Sequence, residues 1–106
     1  MSNIFNIKQY LQRQFKWSDK TFGTGDRTEA ILKHITKELQ EIRADPSDIT
    51  EWVDVIQLAF DGARRAGHDI DDVLSMIVEK QLINEKRTWP DWRTHPIDQP
   101  IEHIKE

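Results

Sequence analysis

A chain of 106 residues has room for one domain with a modest core, so a monomer would be marginally stable. Charged residues at 32% and apolar residues at 37% exclude a disordered chain, and a net charge of −4 provides no broad basic field for duplex nucleic acid. No cysteine is present, which excludes disulfides, thiolate metal sites and a thiol nucleophile.

The opening stretch MSNIFNIKQYLQ lacks the apolar run of a signal peptide, and nowhere do roughly 18 apolar residues follow one another. A cytoplasmic protein without a membrane partner is expected. Ile4, Phe5, Ile7, Leu11 and Phe15 recur at helical spacing and predict a first helix over about residues 3–16. The loop SDKTFGTGD follows, and its Asp26 is a candidate N-cap for a second helix over about 27–44. Ile31, Leu32, Ile35, Leu39 and Ile42 form the apolar face of that helix, with Glu38 at its edge and Glu41 and His34 one step further round. Pro46 in ADPSD ends it, and Ser47 or Asp48 can cap a third helix over about 48–66. The third helix carries an apolar stripe of Ile49, Trp52, Val53, Ile56, Ala59, Phe60 and Ala63. Leu58 lies on its other side, near the line of Glu51 and Asp54, so cover is expected on more than one side. After Gly67 and HDIDD, a fourth helix over about 70–88 is predicted to turn Val73, Leu74, Ile77, Val78, Leu82 and Ile83 inward. The tail from Trp89 onward has three prolines and reads as irregular, with a short turn at about 100–105. The fold class is all-α: a four-to-five-helix antiparallel bundle, oligomeric, with residues 1–106 as one domain.

Two pairs of carboxylates stand out in this frame. Glu38 and Glu41, then Glu51 and Asp54, are each spaced i, i+3, which stacks both members on one helix face at a cost of a few tenths of a kcal/mol per like-charged pair. A lone ExxE on a surface helix is usually a solvated face. Doubled across a hairpin, the pairs bring four carboxylates to one place, and that charge calls for a counter-ion. Two or three Mg²⁺, with Mn²⁺ as a substitute, would neutralise it and leave coordination positions for phosphate oxygens.

On the fourth helix Lys80, Asn84 and Arg87 lie at i, i+4 and i+7. By themselves they read as a solvated face; opposite a metal cluster the same stripe can grip a polyphosphate. Trp17 and Phe22 either fill a core or stack on a base. Arg27, Thr28 and His34 are polar neighbours able to read a base edge or touch a triphosphate, and His34 is equally credible as a half-buried structural histidine. There is no Walker A sequence, GxGxxG, HExxH or GxSxG.

ExxE and ExxD on adjacent helices followed by KxxxNxxR resemble the MazG-like all-α nucleoside triphosphate pyrophosphohydrolases. WSDKTFGTGDRTEAILKHITKELQEI, DPSDITEWVDVIQLAFDGARRAGHD, NEKRTWPDW and IEHIKE are similar to the phage and bacterial dATP/dGTP diphosphohydrolase branch, so that the resemblance covers nearly the whole chain. It implies an enzyme that hydrolyses a (deoxy)nucleoside triphosphate, dGTP or dATP first, to the monophosphate and pyrophosphate. It implies Glu38, Glu41, Glu51 and Asp54 as catalytic Mg²⁺ ligands, Lys80, Asn84 and Arg87 on the phosphate side, and Trp17 and Phe22 at the nucleobase. A homodimer or homotetramer is also implied, in the host cytoplasm if the gene is a phage's. Competing readings are the same chemistry on dUTP, dCTP or a non-standard nucleotide, and a non-catalytic helical module whose acidic face docks a basic partner.

Overall fold

The computed structural model describes residues 5–105. Four α-helices and one 3₁₀ turn make up its regular structure, and no strand occurs among the described residues. The first helix, α1, runs Ile7–Phe22. It begins where the Asn6 side chain accepts a hydrogen bond from the Gln9 amide at 3.0 Å, so Phe5 stays outside it, and the expected start at residue 3 lies outside the described residues. It also runs six residues past the expected end, because WSDKTF contains neither glycine nor proline and the first helix breaker is Gly23. The predicted nine-residue loop therefore shrinks to residues 23–27.

The second helix, α2, spans Thr28–Ala44, and the third, α3, spans Ile49–Arg65. The N-cap of α2 is Arg27 and not the expected Asp26, which stands one residue earlier and accepts from the Thr28 amide and hydroxyl at 2.8 and 2.6 Å; Asp48 caps α3 by accepting from the Thr50 amide and hydroxyl at 2.9 and 2.7 Å. Only residues 45–48 separate the two helices, which fold back on each other as an antiparallel hairpin. Gly62 permits their close approach: a Cβ at that position would stand 3.4 Å from Ile31 Cγ2. Across α3 lies α1, joined to it by Gln14 Nε2 donating to the Gln57 carbonyl and Gln57 Nε2 to the Tyr10 hydroxyl, both at 2.8 Å.

The chain divides into two compact units, one up to Val73 and one from Leu74 onward. The fourth helix, α4, spans Ile70–Lys86, and the tail holds the 3₁₀ turn Trp92–Thr94, capped by Asp91. The turn expected at residues 100–105 does not form; the chain turns at Pro96–Gln99 instead, and the Ile104 amide donates to the Thr88 carbonyl at 2.8 Å.

Core formation departs from the expected pattern. Leu11, Ile31 and Ile42 are the buried apolar side chains among the described residues. Leu32 and Leu39 of α2 stay exposed, as do Ile49 (74%), Trp52 (51%), Val53 and Ile56 (53%) of α3 and Ile77, Val78 (62%), Leu82 and Ile83 of α4. Periodicity located these stripes correctly, but one short chain has no element left to cover them all.

Candidate metal centre and adjoining cavity

The hairpin positions the acidic quartet. Glu38 and Glu41 lie in the last two turns of α2, and Glu51 and Asp54 lie in the first two turns of α3. Because the two helices run antiparallel, the pairs face each other, and one ligand oxygen from each residue lies within 4.8 Å of the others. Glu38 is buried at 6% exposure, and the other three are half-buried. His34, one turn before Glu38 on α2, places Nε2 3.1 Å from Glu38 Oε1.

The protonation pattern records the crowding. Burial raises the Glu38 pKa, helped by its hydrogen bond with Glu41 and the charges of Glu41 and Asp54, while His34 pulls weakly the other way. Glu51 is pushed up to about 7, first by its hydrogen bond with Glu41, then by burial and by the charges of Glu41, Asp48 and Glu38. Glu41 is lowered, because the hydrogen bonds from Glu51 and Glu38 favour its charged form. The crowding thus favours the protonated form at Glu38 and Glu51 and the charged form at Glu41.

The residues fit a hard divalent cation. Glu38 Oε2 and Glu51 Oε2 are buried without a hydrogen-bond partner, an arrangement that costs about 1–3 kcal/mol per group unless something else satisfies it. The donor set is all carboxylate oxygen, the chemistry that suits Mg²⁺ or Mn²⁺.

Next to the quartet a cavity of about 550 Å³ opens between α1, α2 and α3. Its walls are helical stripes: Tyr10, Arg13, Gln14 and Trp17 from α1, His34 and Glu38 from α2, and Asp54, Gln57, Leu58 and Asp61 from α3, with Ser18 and Phe22 completing the lining. Trp17 and Phe22 meet edge to face with ring centroids 5.5 Å apart. The cavity thus brings together Trp17, Phe22, His34, Glu38 and Asp54 of the residues expected from sequence. Arg27 and Thr28 do not line it; Arg27 precedes the first residue of α2, and the Thr28 amide and hydroxyl are both engaged by Asp26. In the second unit, Arg87 follows the last residue of α4 and donates from Nη1 to Asn84 Oδ1 at 3.2 Å, while Lys80 is exposed.

Tyr10, Arg13, Gln14, Ser18, Gln57 and Asp61 were missed by sequence reasoning. A signal for them existed: residues 10, 13, 14 and 17, and again 54, 57, 58 and 61, stand at i, i+3, i+4 and i+7, so they extend the faces of Trp17 and Asp54. On α1 the expected end at residue 16 cut the stripe short of Trp17.

The all-helical fold has a counterpart among solved structures. The chain superimposes with a TM-score of 0.75 on a cyanophage S-2L MazG-like pyrophosphohydrolase, 24% identical, over 96% of this chain and 100% of that one. That protein is described as bound to dGDP and three catalytic Mn²⁺ ions per active site. The sequence pattern of the dATP/dGTP pyrophosphohydrolase family matches residues 10–106, and the chain belongs to this family. It is 44% identical over 92 residues to the Eaa protein of Salmonella phage P22, and 42% identical over 74 residues to a dATP/dGTP diphosphohydrolase of Salmonella phage PMBT28. These alignments cover 86% and 69% of this chain but only 27% and 24% of the relatives, so the chain spans about a quarter of the length of the curated proteins it matches.

Proposed function

We propose that this chain hydrolyses a deoxynucleoside triphosphate, dATP or dGTP, to the monophosphate and pyrophosphate in a Mg²⁺-dependent reaction. One observation carries the reading: four carboxylates converge within 4.8 Å, two of them with a buried unpaired oxygen, beside a cavity walled by Trp17 and Phe22. Family membership over residues 10–106 supports the substrate class, and it supports treating both compact units as one pyrophosphohydrolase domain.

Glu38, Glu41, Glu51 and Asp54 hold two or three Mg²⁺, for which Mn²⁺ substitutes; the three Mn²⁺ of the cyanophage protein support that number. The ions supply neutralisation of the phosphate oxygens and acidification of an attacking water. The side chains do the rest. His34 occupies Glu38 Oε1, and Oε2, which has no hydrogen-bond partner in the protein, is left as the oxygen that would serve a metal ion. A carboxylate of the quartet orients the attacking water and accepts its proton, so no covalent intermediate is required. Trp17 and Phe22 stack on the purine, and His34 reaches its sugar or phosphates. Lys80, Asn84 and Arg87 form the phosphate side, the guanidinium as a forked donor and the ammonium as a point charge. The enzyme works in the cytoplasm as a homodimer or homotetramer, with no helix long and apolar enough to cross a membrane among the described residues.

Purified protein should release pyrophosphate from dATP or dGTP with Mg²⁺, and none without it. Preference within a panel that includes dUTP, dCTP and modified nucleotides identifies the base by specificity constants. Glu41→Gln should lower kcat by about 100-fold or more while the helical circular dichroism stays unchanged. Absence of pyrophosphate release across every triphosphate tested would overturn the proposal.

A further inference from the structure

Behind the aromatic wall of the cavity lies a buried ionic cluster that the metal chemistry does not use. The Arg65 side chain is 1% exposed. Its Nε donates to Asp61 Oδ2 at 3.0 Å, Nη2 to Ser18 Oγ at 2.9 Å, and Nη1 to the carbonyls of Gly23 and Gly25 at 2.8 and 3.0 Å. Nη2 also stands 3.5 Å from Asp19 Oδ1, which gives all the donors of the guanidinium a neighbouring oxygen. Arg64 braces the same carboxylate from the other side, with Nε and Nη2 on Asp61 Oδ1 and Nη1 on Asp19 Oδ1 at 2.7 Å.

The partners of Arg65 delimit one stretch of chain. Ser18 follows Trp17, and Gly23 follows Phe22, so each aromatic residue is the chain neighbour of a residue that the Arg65 side chain holds. Gly23 and Gly25 have φ of +91° and +95°, a backbone that only glycine adopts without strain, and that geometry accompanies two carbonyls converging on one nitrogen. Ser18 and Asp61 also line the cavity directly. No hydrogen bond or ion pair among the described residues connects Arg65 to Glu38, Glu41, Glu51 or Asp54.

We propose that Arg65 is the positioning residue of the base pocket, and that its fork holds the segment from Trp17 to Gly25 in place and so sets nucleobase affinity without entering the metal chemistry. The inference rests on the proposed nucleotide site. Lysine cannot replace it, because three donors on a rotating ammonium do not span two carbonyls, a hydroxyl and a carboxylate at once.

The test is Arg65→Lys, read by amide hydrogen–deuterium exchange and by steady-state kinetics on dATP and dGTP. Exchange over residues 17–26 should accelerate about tenfold or more, while residues 38–54 stay within about twofold. KM should rise about tenfold with kcat within about threefold, and Mn²⁺ binding by calorimetry should be unchanged. Equal acceleration in both segments, or a loss of kcat and Mn²⁺ binding together, would mean that Arg65 only stabilises the fold. If Arg65→Lys loses its helicity, Ser18→Ala, which removes one partner of the fork, carries the same comparison with effects of about threefold. If the unmodified chain cleaves no triphosphate, the proposed activity fails, and the exchange pattern still decides whether Arg65 controls this segment.

Discussion

Glu51 shows how a single residue reports its neighbours. On an isolated helix it would titrate as an ordinary carboxylic acid; beside Glu41 it is pushed up to about 7. A raised folded-state value favours the protonated form in the fold. The stability that Glu51 contributes is therefore present below its unfolded value near 4.5 and is lost as pH rises through about 7. Glu38 is raised as well and acts in the same sense, whereas the lowered Glu41 contributes above its unfolded value and loses that contribution in acid. Metal-free protein should accordingly lose thermal stability between about pH 5 and 8, and Mg²⁺ should restore it, because the cation replaces the proton. Calorimetry near pH 7 in buffers of different ionisation heat should register proton release on Mg²⁺ binding. A Tm that rises with pH without metal, or binding without proton release, would contradict this picture. Asp61 shows the opposite balance: burial raises its pKa, but hydrogen bonds from Ser18, Arg64 and Arg65 outweigh that and hold it below the usual value.

At the scale of elements, the α2–α3 hairpin is the unit that makes the site. The turn is short because Asp45 accepts from the Ser47 hydroxyl at 2.7 Å and Asp48 caps α3 three residues before Glu51. Asp48→Ala removes both bonds to Thr50 and should cost about 1 kcal/mol in urea denaturation. It should also weaken Mg²⁺ binding more than it weakens base binding, since the first turn of α3 carries Glu51. Unchanged urea stability would show that the cap is redundant with the tertiary packing of Gly62 against Ile31. The hairpin was largely legible in sequence: glycine, proline and aspartate signals placed α2, α3 and α4 within a residue or two at most boundaries. The error fell on α1. The polar run WSDKTF lacks an apolar period, and helix continuation there depends on contacts with α3 made by Ser18 and Asp19, through Asp61, Arg64 and Arg65, more than 40 residues away.

For the whole molecule, the exposed apolar faces matter most. Ile49, Trp52, Val53 and Ile56 form a continuous α3 stripe that one chain leaves in contact with water, and Leu32 and Leu39 do the same on α2. Covering such faces with a second copy is the ordinary way for a chain of this size to gain stability. Sedimentation equilibrium should give two or four times the 12.6 kDa of the chain. Ile56→Glu, on this exposed stripe, should shift the mass toward the monomer and lower Tm. A monomer at all concentrations would leave these faces for another partner.

Sequence alone determined the meeting of the two carboxylate pairs, because an i, i+3 spacing on a helix and a short turn between two helices are local facts that bring Glu38, Glu41, Glu51 and Asp54 together whatever else the fold does. Membership of the family was legible for the same reason: its motifs are short, dense and local. Tertiary structure alone decided the cavity and the Arg65 fork. Gln14 meets Gln57 across 43 residues, and Arg65 meets Gly23 across 42. No local pattern encodes such a meeting, because it depends on how α1 lies against α3 and on which of several apolar faces the single chain can bury. The same reason explains why amphipathic stripes were recognised while their burial was not: periodicity names the face, and only packing supplies what covers it.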